Sequence, residues 1–229
     1  MKRDSTAAFA AQTHAAFREL VSDPEFSCLG AKAAMNEESY GFAVFDEMGT
    51  QEATLALSRE LIRFINSGAL KENEFSTFVA VFRRPLSLTE HEFETCLWLQ
   101  LRQLHRVDHS DWDRHVSSDP ADPHFSFSFA GQAFYVVGMH ANSSRAARRF
   151  PWPALVFNPH EQFQKLRTEG KWKRMQHAIR AREIALQGNI NPMVNDFGDQ
   201  SEARQYSGRA VPDDWAAPFP KTSKCPFAH

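Results

Sequence analysis

Residues 125–139 constrain the fold more than any other stretch. Phe125-Ser126-Phe127-Ser128-Phe129 alternates apolar and polar side chains strictly, the two-residue period of a strand with one buried face. Ala130-Gly131 can turn, and Ala133 to Met139 (AFYVVGM) returns, so the pattern predicts a β-hairpin whose second strand is the more buried. A chain that must cover such a hairpin needs further strands or helices over it.

The surrounding patterns supply both. Residues 5–20 read as a helix within an N-terminal segment 1–24 that Asp23-Pro24 ends. Gln51 to Asn66 reads as a helix with Leu55, Leu57, Leu61, Ile62 and Ile65 inside and Gly68 beyond its end. Phe75 to Phe82 (FSTFVAVF) is almost wholly apolar, the pattern of a buried strand, and Arg83-Arg84-Pro85 stops it. Ser87 with Glu90 reads as a capping box opening a helix to about Arg106, with Phe93, Leu97, Leu101 and Leu104 as its stripe. Ala154 to Phe157 reads as a strand, followed by a helix with Asn158 as cap, Pro159 in its first position and Glu161 completing the box. After Gly170 a further helix runs to Leu186 with Trp172, Met175, Ile179 and Leu186 on one stripe, and Gly188 closes it. The segment from Asn189 is loop-like, and 211–229 is a tail holding Pro212, Pro218, Pro220 and Pro226. The expectation is one α+β domain over 1–229, an antiparallel-rich sheet with helices packed on it.

Composition narrows the function. Lys and Arg total 26 against 28 Asp and Glu, which argues against a strongly basic nucleic-acid binder. The N-terminus has no continuous apolar run and no stretch approaches the ~20 apolar residues of a membrane span, so no membrane is expected. The three cysteines form no disulfide framework, which points to a cytoplasmic setting. With 20 Phe and 5 Trp but 3 Tyr, the chain is rich in planar apolar surface, suited to an aromatic core or to a flat apolar cofactor. The window Arg145–Arg182 holds ten basic residues and two acidic ones, a +8 stretch in a chain of net charge −2. Such a stretch suits an anionic ligand, an acidic partner, or a solvated helix face.

Three segments are denser in functional side chains than a scaffold requires. The first places His140 at the end of the hairpin's return strand, followed by a polar turn and Arg145, Arg148 and Arg149, an anion site in outline. The second, Asn158-Pro159-His160-Glu161-Gln162-Phe163, reads most simply as an exposed histidine beside a helix cap. The third, 189–209, carries Asn191, Asp196, Asp199, Glu202, Arg204, Tyr206 and Arg209 in some twenty loop-like residues, a length and polarity common in lids and binding loops. Its carboxylates could hold a cation, and Arg204 or Arg209 a carboxylate. Cys28 reads as a buried thiol, with Lys32 near enough in sequence to leave a reactive one open. No dinucleotide, Walker A, nucleophile-elbow or HExxH motif is present.

The stretches Phe26-Ser27-Cys28-Leu29-Gly30-Ala31, Phe125–Phe129, Gly138-Met139-His140 with Ser144-Arg145 and Arg148-Arg149-Phe150, Phe157–Phe163, Ile190-Asn191-Pro192-Met193 and Ser201–Arg209 together resemble the YqcI/YcgG family, in particular its guanitoxin-biosynthesis type of haem-dependent N-hydroxylase. The resemblance spans roughly 25–229, with Ala141 where a proline is expected after the histidine. It implies a b-type haem and O2, used with external electrons to N-hydroxylate a small guanidine or amine substrate resembling an amino acid. It makes His140 the first choice of axial ligand, His160 the second and Cys225 of Cys225-Pro226-Phe227 the third. Arg145, Arg148 and Arg149 are then expected at the propionates, with Cys28 also at the cofactor. Glu202 and Asp196 are expected to hold the substrate cation, and Arg204, Arg209, Tyr206 and Asn191 to bind the rest of it. An electron donor of the ferredoxin or reductase kind is implied, and a homodimer is compatible with the pattern. Two other readings stay open: a haem sensor or carrier without turnover, and a metal-dependent hydrolase built on His105, His109, His115 or His160 with Asp108.

Overall fold

Helix α1 (Lys2–Ser22) ends just before Asp23-Pro24, where proline restricts the residue before it. The computed structural model describes residues 2–193 and 196–221, so Cys225 lies outside the described residues. Helix α2 (Leu29–Asn36), strand β1 (Tyr40–Glu47), helix α3 (Gln51–Asn66) and the single turn α4 (Ala69–Glu72) follow. Then come β2 (Thr77–Arg84), α5 (Glu90–Val107), β3 (Phe127–Phe129) and β4 (Gln132–Met139). Strand β5 (Ala154–Pro159) leads directly into α6 (His160–Thr168), and α7 (Trp172–Gln187) ends at Gly188, whose φ of 78° only glycine adopts at little cost.

The strands form a sheet in the order β1-β2-β5-β4-β3. Strands β1 and β2 run parallel and the other pairings are antiparallel. Helices α3 and α5 cover one face, where Leu57, Leu61, Phe93, Leu97 and Leu101 meet Phe78, Phe82, Phe134 and Phe157. Helices α1 and α2 cover the other, where Phe17, Val21 and Met35 meet Val79, Val81, Met139 and Val156. The result is the expected single α+β domain with a mostly antiparallel sheet.

The hairpin forms where its alternation places it, with Ala130 (φ 53°) and Gly131 (φ 76°) as the turn. The burial order is reversed, however: Phe125 to Phe129 are all buried, whereas Gln132, Tyr135 and Val137 are only partly so. Ser126 and Ser128 are covered because their hydroxyls serve the interior. Ser126 donates to Glu202 at 2.7 Å, and Ser128 accepts from the Asp113 N–H at 3.0 Å. The α5 capping box belongs to Thr89 and Glu92, two residues beyond the expected pair, because Ser87 sits at φ 57° outside the helix. On α3, Leu55 and Ile62 face solvent at 40% and 43% exposure, leaving a narrower stripe than the sequence suggested. Asn158 is a strand residue, accepting from Thr77 at 3.1 Å and donating to the Tyr135 carbonyl at 3.2 Å, so α6 starts without its side chain.

Candidate functional site

A cavity opens between the α1/α2 face of the sheet and the layer formed by α6, α7 and residues 197–205. Its floor is Tyr135, Val137 and Asn158, which alternate with core-facing residues along β4 and lie at the end of β5. The stripe of α7 forms a wall with Trp172, Met175 and Ile179; no residue of that helix is buried, so the stripe lines space rather than core. Phe75, Phe163 and Phe197 add aromatic surface. The space free of atoms, mouth included, is ≈ 970 Å³. A second cavity of ≈ 800 Å³ adjoins it, sharing Cys28, Ala31, Tyr135, Val137 and Asn158.

His160, expected as an exposed residue, is 4% exposed and lines this cavity. It is buried because β5 runs straight into α6, placing the first helical residue over the floor. Its Nε2 lies 3.0 Å from Gln164 Nε2, the Phe197 ring is 4.5 Å away and tilted by 58°, and Nδ1 is 3.8 Å from Glu202 Oε2. Burial, assisted by the Arg167 charge, pushes its pKa down to about 4 and keeps the imidazole neutral. Glu202 shows the opposite displacement. Burial raises it to about 8, although Tyr206 at 2.6 Å and Ser126 at 2.7 Å donate to Oε1. At neutral pH the site therefore holds a protonated carboxyl beside an unprotonated imidazole, an arrangement suited to acid–base work.

Cys28 also faces this space. It is the N-cap residue of α2, it is exposed, and it lines both cavities. Although the residue is exposed to the cavity, the protein atoms packed round it displace enough solvent to raise its pKa, while the N–H groups of Ala31 and Gly30 in the first turn of α2 and the Arg148 charge pull it down. A thiol so placed is ordinarily neutral and ionises on meeting a metal cation.

His140 lies elsewhere. Residues 134, 136, 138 and 140 share one side of the chain, and that side faces α5. The His140 ring stacks on Phe93 at 4.4 Å, is 2% exposed and lines neither cavity. Burial lowers its pKa.

The residue 17–220 stretch matches the YqcI/YcgG family model. The chain belongs to the YqcI/YcgG family. The match takes in β1 to β5 and every cavity residue named above. This YqcI/YcgG chain is also 26% identical over 220 residues to the uncharacterized protein YqcI of Bacillus subtilis (strain 168), an alignment covering 91% of this chain and 84% of that one. No solved structure matches it.

The remaining polar residues singled out in this YqcI/YcgG sequence serve mostly to tie segments together. Arg148 donates to the carbonyls of Gln205 and Tyr206 at 2.8 and 3.1 Å, Arg145 to Asn189 at 2.6 Å, and Arg149 to the Ser143 carbonyl at 2.9 Å. Arg209 pairs with the buried Glu94 of α5 at 2.5 Å, and Arg204 donates to the Pro212 carbonyl at 2.8 Å. Asp196 accepts from Trp172 Nε1 at 3.1 Å and from Gln176 at 2.6 Å, which fastens the 196–200 segment onto α7. Asn191 is buried at the second cavity, where its carboxamide oxygen accepts from the Met193 N–H at 3.0 Å. Tyr206 is buried and bridges Glu202 to the N–H of Phe127. His105 packs on the rings of Trp112 and Phe219, and His115 on Asp113. Among the described residues no three His, Cys, Asp or Glu side chains gather as a metal site. Nor, among them, is any helix long and apolar enough to cross a membrane.

Arg167 and Tyr135, both cavity residues, were not singled out from the sequence. Tyr135 had a usable signal, since strand parity sets it opposite the Phe134 face. Gly30 offers a direct probe of the space: a Cβ there would meet Phe75 and Met175 at 3.4 and 3.5 Å, ordinary contact. Gly30→Ala is expected to leave stability unchanged or up to about 1 kcal/mol higher, as alanine favours a helix, while narrowing the cavity. Thermal unfolding together with ligand titration reads both effects.

Proposed function

We propose that this cavity binds a b-type haem and that the protein is a haem-dependent N-hydroxylase acting on a small guanidine or amine. One observation carries the reading: a thiol and a buried His–Glu pair converge on the same aromatic-walled cavity. A haem asks its site for flat apolar surface, a donor for iron and a dry environment. Phe75, Phe163, Trp172 and Phe197 supply the surface, and Cys28 and His160 are the donors present. We assign the iron to Cys28. Cys28 faces both cavities at the N-terminus of α2, whereas His160 faces the second not at all and has its Nε2 3.0 Å from Gln164, with Nδ1 alone unpartnered among the described residues. His140 lines neither cavity, so this assignment leaves it out.

Bound there and reduced by an external donor, a haem would supply O2 activation, one oxygen atom going to the substrate nitrogen and the other, with two electrons and two protons, to water. The chain's own residues handle protons and water. Glu202 holds a proton up to about pH 8, and a small shift across the 3.8 Å gap lets its Oε2 share that proton with His160 Nδ1. Phe197 over His160 shields the pair from solvent. Glu202 thus works as a proton store; because burial keeps it neutral, we do not assign it as the standing counter-ion of a guanidinium. The electrons would come from an external donor of the ferredoxin or reductase kind.

Absorption spectra of haem-reconstituted protein, ferric, ferrous and ferrous-CO, test the assignment. Wild type and His140→Ala are expected to give a thiolate-type ferrous-CO band, and Cys28→Ala to lose it. An imidazole-type band lost in His160→Ala would move the ligand to His160. Absence of stoichiometric haem binding in wild type would overturn the reading. Hydroxylamine formation from L-arginine with an added reductase separates an oxygenase from a haem carrier.

A further inference from the structure

Arg167 stands apart from the other arginines near the site. Arg145, Arg148 and Arg149 each donate to a side-chain or backbone oxygen of the protein. Arg167 lines the cavity, and among the described residues its Nη1 is buried without a hydrogen-bond partner. A guanidinium donor removed from water and left unmatched is costly, and such groups in native folds point to a missing partner. The guanidinium lies 4.9 Å from the centre of the Trp172 ring and 5.6 Å from that of Phe197, so two aromatic rings flank it. Two acidic side chains neighbour it, Asp196 and Glu202, the latter holding its proton at neutral pH. Both are engaged: Asp196 with Trp172 Nε1 and Gln176, Glu202 with Ser126 and Tyr206.

We propose that Arg167 is the carboxylate clamp of the cavity, its unmatched Nη1 receiving the carboxylate of a flat, largely apolar ligand or of the substrate lying beside it. The fork geometry of a guanidinium matches a carboxylate, and the rings beside it favour a planar body. In its haem form this rests on the function proposed above, and the carboxylate then has two sources: a haem propionate, or the α-carboxylate of an amino-acid substrate.

Titrating haemin and haemin dimethyl ester into wild type, Arg167→Gln and Arg167→Lys distinguishes them. If the clamp holds a propionate, wild type binds haemin at least about tenfold more tightly than the ester. Arg167→Gln then erases the preference and Arg167→Lys keeps part of it. If it holds substrate, both porphyrins bind alike in all three proteins. The Soret shift produced by L-arginine then needs at least about tenfold more ligand in Arg167→Gln, while that produced by agmatine, the same guanidine without the carboxylate, is unchanged. Arg167→Gln indistinguishable from wild type in both arms overturns the proposal. The ester comparison on wild type is independent of whether the variant folds. Should wild type bind no haem, the function above fails separately, and pyrene-1-butyrate against its amide, read by fluorescence anisotropy, tests the clamp without it. A carboxylate preference lost in Arg167→Gln supports the clamp, and equal binding of acid and amide overturns it.

Discussion

Raising the pH from 6.5 to about 8 is expected to cost the fold about 2 kcal/mol, and Glu202→Gln to remove most of that loss. Burial lifts the Glu202 pKa from 4.5 to about 8. Between those values the unfolded chain has given up a proton that the folded chain keeps, so stability falls as pH rises. His160 works in the other sense. Its pKa falls from 6.5 to about 4, so within that interval the unfolded chain binds a proton that the folded chain refuses, and stability rises with pH. From about 4.5 to 6.5 the two slopes oppose each other and nearly cancel. Above 6.5 only Glu202 contributes, at ~1.4 kcal/mol per pH unit, until it ionises near 8. Urea unfolding across this range, wild type against Glu202→Gln, checks the prediction. A wild type as stable at pH 8 as at 6.5 would remove the protonated carboxyl from the site.

The second large effect lies on β4. Gly138→Ala is expected to destabilise the protein by about 2–3 kcal/mol. A Cβ at 138 would stand 2.6 Å from Phe93 Cε1, 2.8 Å from Leu97 Cδ1 and 2.8 Å from the Tyr206 carbonyl oxygen. The two side chains can shift, but the carbonyl is held. It accepts from Gly138 N at 2.7 Å and from Arg148 at 3.1 Å, so displacing it loosens both bonds and the turn that carries Glu202. Denaturant midpoints measure the loss, with Gly30→Ala, whose new Cβ meets only ordinary contacts, as the control.

Much of this architecture was legible in the chain. The Phe-Ser alternation, the Phe75–Phe82 run and the α5 stripe each express one strong period, and each became the element it suggested. Helix α2 and strand β1 escaped notice for a physical reason. Leu29–Asn36 is barely two turns, and Tyr40–Glu47 is mostly half-buried at the sheet edge, so neither has a clean period. The site was legible in part. His160, Glu202 and Cys28 were all singled out, but their convergence depends on β5 passing without a loop into α6, which no local pattern announces. Strand parity separates the two histidines: counting in twos from Phe134 puts residue 140 on the α5 face, away from the cavity that His160 lines. Trp172, Met175 and Ile179 looked like a core stripe because a cavity wall and a core demand the same residues. Arg167 was one basic residue among ten, and its place in the cavity wall together with an unmatched Nη1 distinguishes it.

The strand order β1-β2-β5-β4-β3 has a consequence for biosynthesis. The strand made last is the middle one. While the chain emerges from the ribosome, β1 with β2 and β3 with β4 can pair as two half-sheets, each keeping one open hydrogen-bonding edge until residues 154–159 arrive to join them. The same late strand carries Asn158 and delivers His160. Closure of the sheet therefore lays the cavity floor, and α7 and residues 197–205 wall it in afterwards; a nascent chain stalled before residue 154 leaves the β2 and β4 edges open to pairing with other chains.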